Sequence, residues 1–191
     1  MGDEPQRQAA LVREAIRWVR EGVDFIQLRE KDLSTATLTA LARQILTAIA
    51  GTTSHTKLLI NSRADIAIAT GAHGIHLTAT PDELTPTGVR RLYASAGLPR
   101  PIITVSCHTF EEAQNASQNG ADAILLAPVF EKIASGQAIS PGLGLEQLRA
   151  VCVALTPTPV YALGGVSLEN AHSCIAAGAA GIAGIRIFHR S

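Results

Sequence analysis

Two stretches near the end of the chain combine glycine with apolar, strand-like runs in a way that could hold an anion. Val160 to Leu163 is apolar and stops at Gly164-Gly165, after which the pattern restarts as a helix. Such a break leaves backbone N–H groups exposed where a strand ends, and N–H groups at a helix start attract negative charge. A second run, Gly181 to Ile187, carries Ala183-Gly184-Ile185-Arg186 at its exit, so a small residue and a glycine recur with a cation beside them. Adjacent glycine-bearing strand ends are how the last two strands of a parallel barrel hold a phosphate. A Gly-Gly pair also makes a tight turn with no ligand at all; the recurrence on two strands is what favours phosphate. The residues expected to bind it are Gly164, Gly165, Gly184, Ile185 and Arg186.

The preceding chain alternates helix and strand. Ala9 to Glu21 has apolar residues at Leu11, Val12, Ala15, Ile16 and Val19, a helical spacing that stops at Gly22. Phe25 to Leu28 reads as a short strand ending in Arg29-Glu30-Lys31, and Ser34 caps a helix with Leu38, Leu41, Ile45 and Leu46 on its apolar face. Lys57 to Ile60 is a strand ending at Asn61-Ser62-Arg63, followed by a helix from Ala64 to Thr70. Gly74 to Leu77 is a strand, Thr78 to Pro86 a polar loop, and Thr87 to Ala96 a helix. Ile102 to Val105 is a strand closed by Ser106-Cys107-His108-Thr109, and Thr109 with Glu112 forms a capping box for a helix reaching Asn119. Ala123 to Ala127 is a strand closed by Pro128, and the segment from Phe130 to Gly144 is a long loop of the binding or lid kind before a helix from Leu145 to Ala154. Strands rich in Ile, Val and Leu that alternate with amphipathic helices imply a parallel sheet buried on both faces.

Composition bounds the function. The 191 residues are 47% hydrophobic and 17% charged, enough for one sizeable core, so a single domain over residues 1–191 is expected. Lys plus Arg and Asp plus Glu number 16 each, so no net field favours nucleic acid or an anionic membrane, and an anion must be bound locally. The apolar runs are too short to span a membrane, and a cytoplasmic location is expected. Cys107, Cys152 and Cys174 include no Cys-x-x-Cys pair; Cys152 and Cys174 read as small core residues, and Cys107 as packing. Trp18 and Tyr93 read as helix packing, and His55, His73, His172 and His189 as loop or surface residues. Seven strands can be counted, and none precedes the first helix.

Nearly the whole chain is spanned by Gly22-Val-Asp-Phe-Ile-Gln-Leu-Arg-Glu-Lys31, Leu59-Ile-Asn61, Gly74-Ile-His-Leu77, Val105-Ser-Cys-His-Thr-Phe-Glu-Glu-Ala113, Gly120-Ala-Asp122, Pro128-Val-Phe130, Gly142-Leu-Gly-Leu145 and Ala162-Leu-Gly-Gly-Val166. Together these motifs resemble the thiamine phosphate synthase/TenI family. Each motif alone is weak, and their order and spacing together are specific. The resemblance implies an α/β fold, a (β/α)8 TIM barrel here lacking the first strand and the closing helix. It also implies a ligand that is a phosphorylated thiazole or thiamine phosphate and a site at the C-terminal strand ends; the assembly expected, if any, is a homodimer.

Carried over residue by residue, the match is uneven. Gln27, Arg29 and Lys31 alternate along a strand end and so point to one side, which suits a planar pyrimidine with a diphosphate leaving group. Asn61 matches the first position of the family's Asn-Asp pair, but Ser62 stands where the family has a magnesium-binding carboxylate. A second carboxylate has no in-register match, and Asp82 or Glu83 could replace it only in a re-spaced loop. The expected cofactor is therefore none, or Mg2+ if the protein is a synthase. Lys132 is the one lysine of the altered loop after Phe130 that could reach the substrate. The family's tautomerase branch uses a histidine at the position of His108 for proton transfer, a task suited to a side chain whose ordinary pKa is near ~6.5. Synthases also carry a histidine there, so it could equally serve only the strand end. Ser106 lies one strand step away on the same side. The expectations are thus a TenI-like thiazole tautomerase, a thiamine phosphate synthase joining a pyrimidine diphosphate to a thiazole phosphate, or a paralogue that binds the phosphorylated ligand without turnover.

Overall fold

The computed structural model describes residues 4–30, 32–80, 82–134 and 137–188, and side chains outside 4, 5, 132–140 and 186. Lys31 and His189 fall outside the described residues, as do the side chains of Lys132 and Arg186. The chain divides into two compact units, one holding the residues up to His76 together with Gly88–Ile102, the other Leu77–Thr87 and the residues from Ile103 onward.

In the first unit, helix α1 (Glu4–Arg20) leads to strand β1 (Phe25–Leu28), helix α2 (Thr35–Ala50) to β2 (Lys57–Asn61), and helix α3 (Ala64–Thr70) to β3 (Gly74–Thr78), while α4 (Pro86–Ser95) contributes most of its length. The three strands are parallel, with Gln27 opposite Leu59 and Asn61 opposite His76. Helix α2 starts where Ser34 accepts a hydrogen bond from the Thr37 N–H, and it buries Leu38, Leu41, Ala42, Ile45 and Ile49 at helical spacing. Burying each larger side chain contributes about 1.5–3 kcal/mol, which makes this stripe a main support of the unit. Tyr93 is buried in α4, its hydroxyl donates to the Ala72 carbonyl, and burial pushes its pKa up to about 12.

In the second unit, β4 (Ile102–Cys107), helix α5 (Phe110–Gln118), β5 (Ala123–Leu126), a hairpin of β6 (Lys132–Ala134) and β7 (Gln137–Ser140), helix α6 (Gly144–Ala154), β8 (Val160–Leu163), helix α7 (Ala171–Ala176) and β9 (Gly181–Ala183) follow in order. Strands β4, β5, β8 and β9 pair in parallel in that sequence, while the hairpin is antiparallel. Seven parallel strands alternating with helices give an α/β fold of the (β/α)8 TIM-barrel class.

Five helices, α1, α3, α4, α5 and α7, end in one construction. Gly22, Gly71, Gly97, Gly120 and Gly178 take φ of 79°, 67°, 68°, 87° and 102°, a left-handed turn open to glycine at little cost. The N–H of the residue after each glycine bonds back five residues, from Val23 to Trp18, Ala72 to Ala67, Leu98 to Tyr93, Ala121 to Ala116 and Ala179 to Cys174. At two of these corners the next side chain accepts a backbone N–H from the preceding strand: Asp122 Oδ2 from Ile103 at 2.8 Å, and His73 Nδ1 from Leu58 at 3.0 Å. His73, expected at the surface, is therefore a half-buried member of a strand junction.

Three other expectations are corrected. The loop from Phe130 to Gly144 contains the β6–β7 hairpin. The run Gly181 to Ile187 is a strand only to Ala183 and then becomes a 3-10 turn, Arg186–Phe188, because Ile185 stands out in solvent at 71% exposure instead of continuing the buried alternation. Helix α7 begins at Ala171, not at the glycine pair, after a turn in which Asn170 Oδ1 accepts the Ser167 N–H and its amide donates to the Gly165 carbonyl. Cys107 and Cys174 are buried as expected, whereas Cys152 is only half-buried.

Candidate functional site

In the first unit the candidate residues lie at the C-terminal ends of β1 and β2. Ile26 and Leu28 face the core while Gln27 between them is exposed, as is Arg29 two residues on. Asn61 closes β2, half-buried, with its amide 3.3 Å from the Ser62 hydroxyl. Ser62 takes φ 54°, the left-handed region, and its N–H donates to the His76 carbonyl at 2.9 Å. Arg63 turns away: its guanidinium makes two bonds to Asp65, at 2.9 and 2.6 Å, and one to the Thr35 hydroxyl at 3.0 Å. The Arg63 bond holds the Asp65 carboxyl below its usual pKa. His76, opposite Asn61, is 4% exposed, and burial followed by the charge of Arg29 lowers its pKa to about 4.

These donors do not fit a bound Mg2+. A hard divalent ion wants carboxylate oxygens, and the end of β2 offers an amide and a hydroxyl while Asp65 is committed to Arg63. Glu83, which could have stood in, accepts from the Thr78 hydroxyl, and Asp82 is exposed. Among the described residues no group of three His, Cys, Asp or Glu side chains is arranged to hold a metal.

In the second unit, β4 ends at Cys107 and presents His108 beyond it, exposed. The ring Nδ1 of His108 is 2.7 Å from the Ala127 carbonyl, which can only accept, so Nδ1 carries a hydrogen, and whenever the ring is neutral the lone pair is on Nε2. Glu112 Oε2 accepts the His108 backbone N–H at 2.6 Å, and Thr109 Oγ1 accepts the Glu112 N–H at 3.1 Å. Ser106 is half-buried on the same side of the strand as His108, while Cys107 is fully buried with its thiol pushed up to about 12 by burial and then by Glu112. A thiol so protonated is no nucleophile.

The glycine ends of β8 and β9 are brought together. Leu163 pairs with Ala183, so Gly164 and Gly184 follow side by side. Gly164 and Gly165 take φ 86° and 66°, and a Cβ on either would come within 2.7 Å of Pro128 or 2.6 Å of Phe130. Gly142 meets the same segment, a Cβ there falling 2.6 Å from the Val129 carbonyl oxygen. Three glycines therefore grip the Pro128–Glu131 backbone, which also bonds from Val129 and Phe130 N–H to the Leu163 and Gly164 carbonyls. From sequence, Gly164 and Gly165 suggest a phosphate site or a tight turn, and neither reading contains this grip. Gly142, in the Gly142-Leu-Gly-Leu145 motif, is the signal that could have shown it.

His108 and Gly164 end strands two positions apart in the β4–β5–β8–β9 order, a span of about 10 Å at the usual strand spacing.

A family model described as thiamine monophosphate synthase matches residues 2–188. A protein of Methanospirillum hungatei named thiamine-phosphate synthase is 40% identical over 166 residues, covering 85% of this chain and 74% of the relative. Another so named, from Koribacter versatilis, is 36% identical over 184 residues, covering 95% and 81%. Among solved structures, a thiamine phosphate pyrophosphorylase from Pyrococcus furiosus aligns with a TM-score of 0.73 at 26% identity, covering 93% of this chain and 80% of its own.

Proposed function

We propose, because the chain belongs to the thiamine monophosphate synthase family, that it binds a phosphorylated thiazole and isomerises its carboxylate form by proton transfer through His108. The observation that carries this reading is the pose of the His108 ring on the Ala127 carbonyl. Nε2 takes a proton from one atom of the bound thiazole and returns it at another, so the product has the same composition. The imidazolium formed in between keeps its Nδ1–H on the same carbonyl, and the ring need not turn. The phosphate is held by backbone N–H groups of Gly164, Gly165, Gly184 and Ile185, with Arg186 adding charge; fixed N–H donors bind such an anion without net protein charge. Ser106 lies beside the base; Gln27, Arg29, Lys31, Asn61 and Lys132 are the residues to which the family resemblance gives substrate contacts.

A second reading, synthesis of thiamine phosphate from a pyrimidine diphosphate and the thiazole phosphate, is favoured by the relatives' names and by the exposed Gln27 and Arg29. Against it stand Asn61 and Ser62, whose neutral oxygens do not suit the cation that would offset charge on departing diphosphate. One experiment separates the readings: proton–deuterium exchange of the thiazole phosphate carboxylate in heavy water, followed by NMR, beside an assay for diphosphate release with Mg2+. Exchange that falls about 100-fold or more in His108→Asn, with ligand affinity nearly unchanged, supports the tautomerase. Diphosphate release at about 1 per second or faster supports the synthase. Ligand binding without either leaves a non-catalytic carrier.

A further inference from the structure

Glu112 makes a contact that capping helix α5 does not require. In a capping box the acidic side chain reaches back to the N–H of the cap residue itself. Here the cap is Thr109, which accepts the Glu112 N–H, yet the Glu112 carboxylate reaches one residue further and accepts the His108 N–H at 2.6 Å. The strand end is fixed from its other side as well: the Ala127 N–H donates to the Cys107 carbonyl at 3.0 Å, and the Ala127 carbonyl takes the His108 ring at 2.7 Å. An exposed histidine is thus held at its backbone N–H, at the peptide before it and at its ring. Of the groups that hold it, Glu112 alone acts through a side chain.

We infer that Glu112 is a positioning residue for proton transfer. By fixing the His108 backbone it sets the ring on the Ala127 carbonyl, which selects the Nδ1–H tautomer and keeps the Nε2 lone pair outward. The inference rests on the proposed role of His108 and does not make Glu112 a participant in the chemistry. Its carboxylate is bound to a backbone N–H and touches no reacting atom.

The two halves of the cap can be separated by mutation. Glu112→Ala removes the bond to His108 and leaves Thr109 able to cap; Thr109→Ala loosens the same helix start and leaves the Glu112–His108 bond in place; Glu112→Gln keeps an acceptor oxygen. In ligand-free protein, the 15N spectrum of the His108 ring should show one Nδ1–H tautomer in wild type, Glu112→Gln and Thr109→Ala, and an averaged pair in Glu112→Ala. In the exchange assay, Glu112→Ala should lose about tenfold or more in kcat with KM within about twofold, while Glu112→Gln and Thr109→Ala stay within about threefold of wild type. Equal losses in Thr109→Ala and Glu112→Ala would reduce Glu112 to a helix cap, and a single Nδ1–H tautomer in Glu112→Ala would overturn the inference outright. If wild type exchanges no proton, the functional reading falls, and the ring spectra still decide whether Glu112 positions His108.

Discussion

At the scale of the residue, His76 gives the chain a pH dependence whose sign is fixed. Its folded pKa, about 4, lies below the ordinary histidine value near ~6.5, so between these values the unfolded chain binds a proton that the folded chain does not. The stability this reflects is fully present above about pH 6.5, declines as pH falls toward about 4 and is flat below, with a total loss of roughly 3 kcal/mol. His73 acts in the same direction, since burial and then Lys57 lower its pKa, and a protonated Nδ1 cannot accept the Leu58 N–H. Urea midpoints at pH 7 and 4.5 should therefore differ, and His76→Gln should remove most of the difference; an unchanged slope would place it elsewhere. Ser62 makes a second case. At φ 54° it occupies a conformation that aspartate tolerates through its own backbone bonding. Ser62→Asp should melt within a few degrees of wild type or above it; a fall of more than about 5 °C, roughly 1.3–2.5 kcal/mol for a chain this long, would show that the turn is shaped for serine. The place of His108 at a strand end was legible because the apolar run before it stops at Val105. His73 was not, since only the structure shows its ring taking the place that Asp122 takes elsewhere.

At the scale of the element, the strands and most helices followed from periodicity, caps and glycines, and the strand read too long is the one whose apolar run lacked a buried face. Ile185 and Ile187 continue a strand pattern in sequence, but the exposed Ile185 shows that the chain has already left the sheet. The corners are the most regular part of the design. Asp122→Ala leaves the Ile103 N–H without its acceptor and should cost about 1–3 kcal/mol, readable as a lowered urea midpoint with unchanged slope. A midpoint equal to wild type would mean that water replaces the carboxylate without loss. At the end of β8, Gly165→Ala meets both a positive φ and Phe130, and it should cost more than about 2 kcal/mol. A milder effect would show that the Pro128–Glu131 segment can move aside.

At the scale of the whole molecule, the fold class was legible because parallel strands buried on both faces write long Ile, Val and Leu runs into the sequence. The proposed site has few residue-type signatures, since much of it is backbone: the Ala127 carbonyl, the Gly164 and Gly184 N–H groups and the His108 N–H. Phosphate binding is therefore best tested on the unmutated chain. A thiazole phosphate at about 100 times its dissociation constant should stabilise the fold by about 2.7 kcal/mol, while the dephosphorylated alcohol at the same concentration should do far less. Equal shifts from both compounds would remove the phosphate from the argument. The grip of Gly142, Gly164 and Gly165 on the Pro128–Glu131 backbone bears on how this chain would look in a saturation screen. Every substitution at those three codons would be scored as loss of function, and the heat map would draw a ligand's outline even where the loss comes from a steric joint. Only scoring each variant for abundance as well as turnover would separate that silhouette from a binding site.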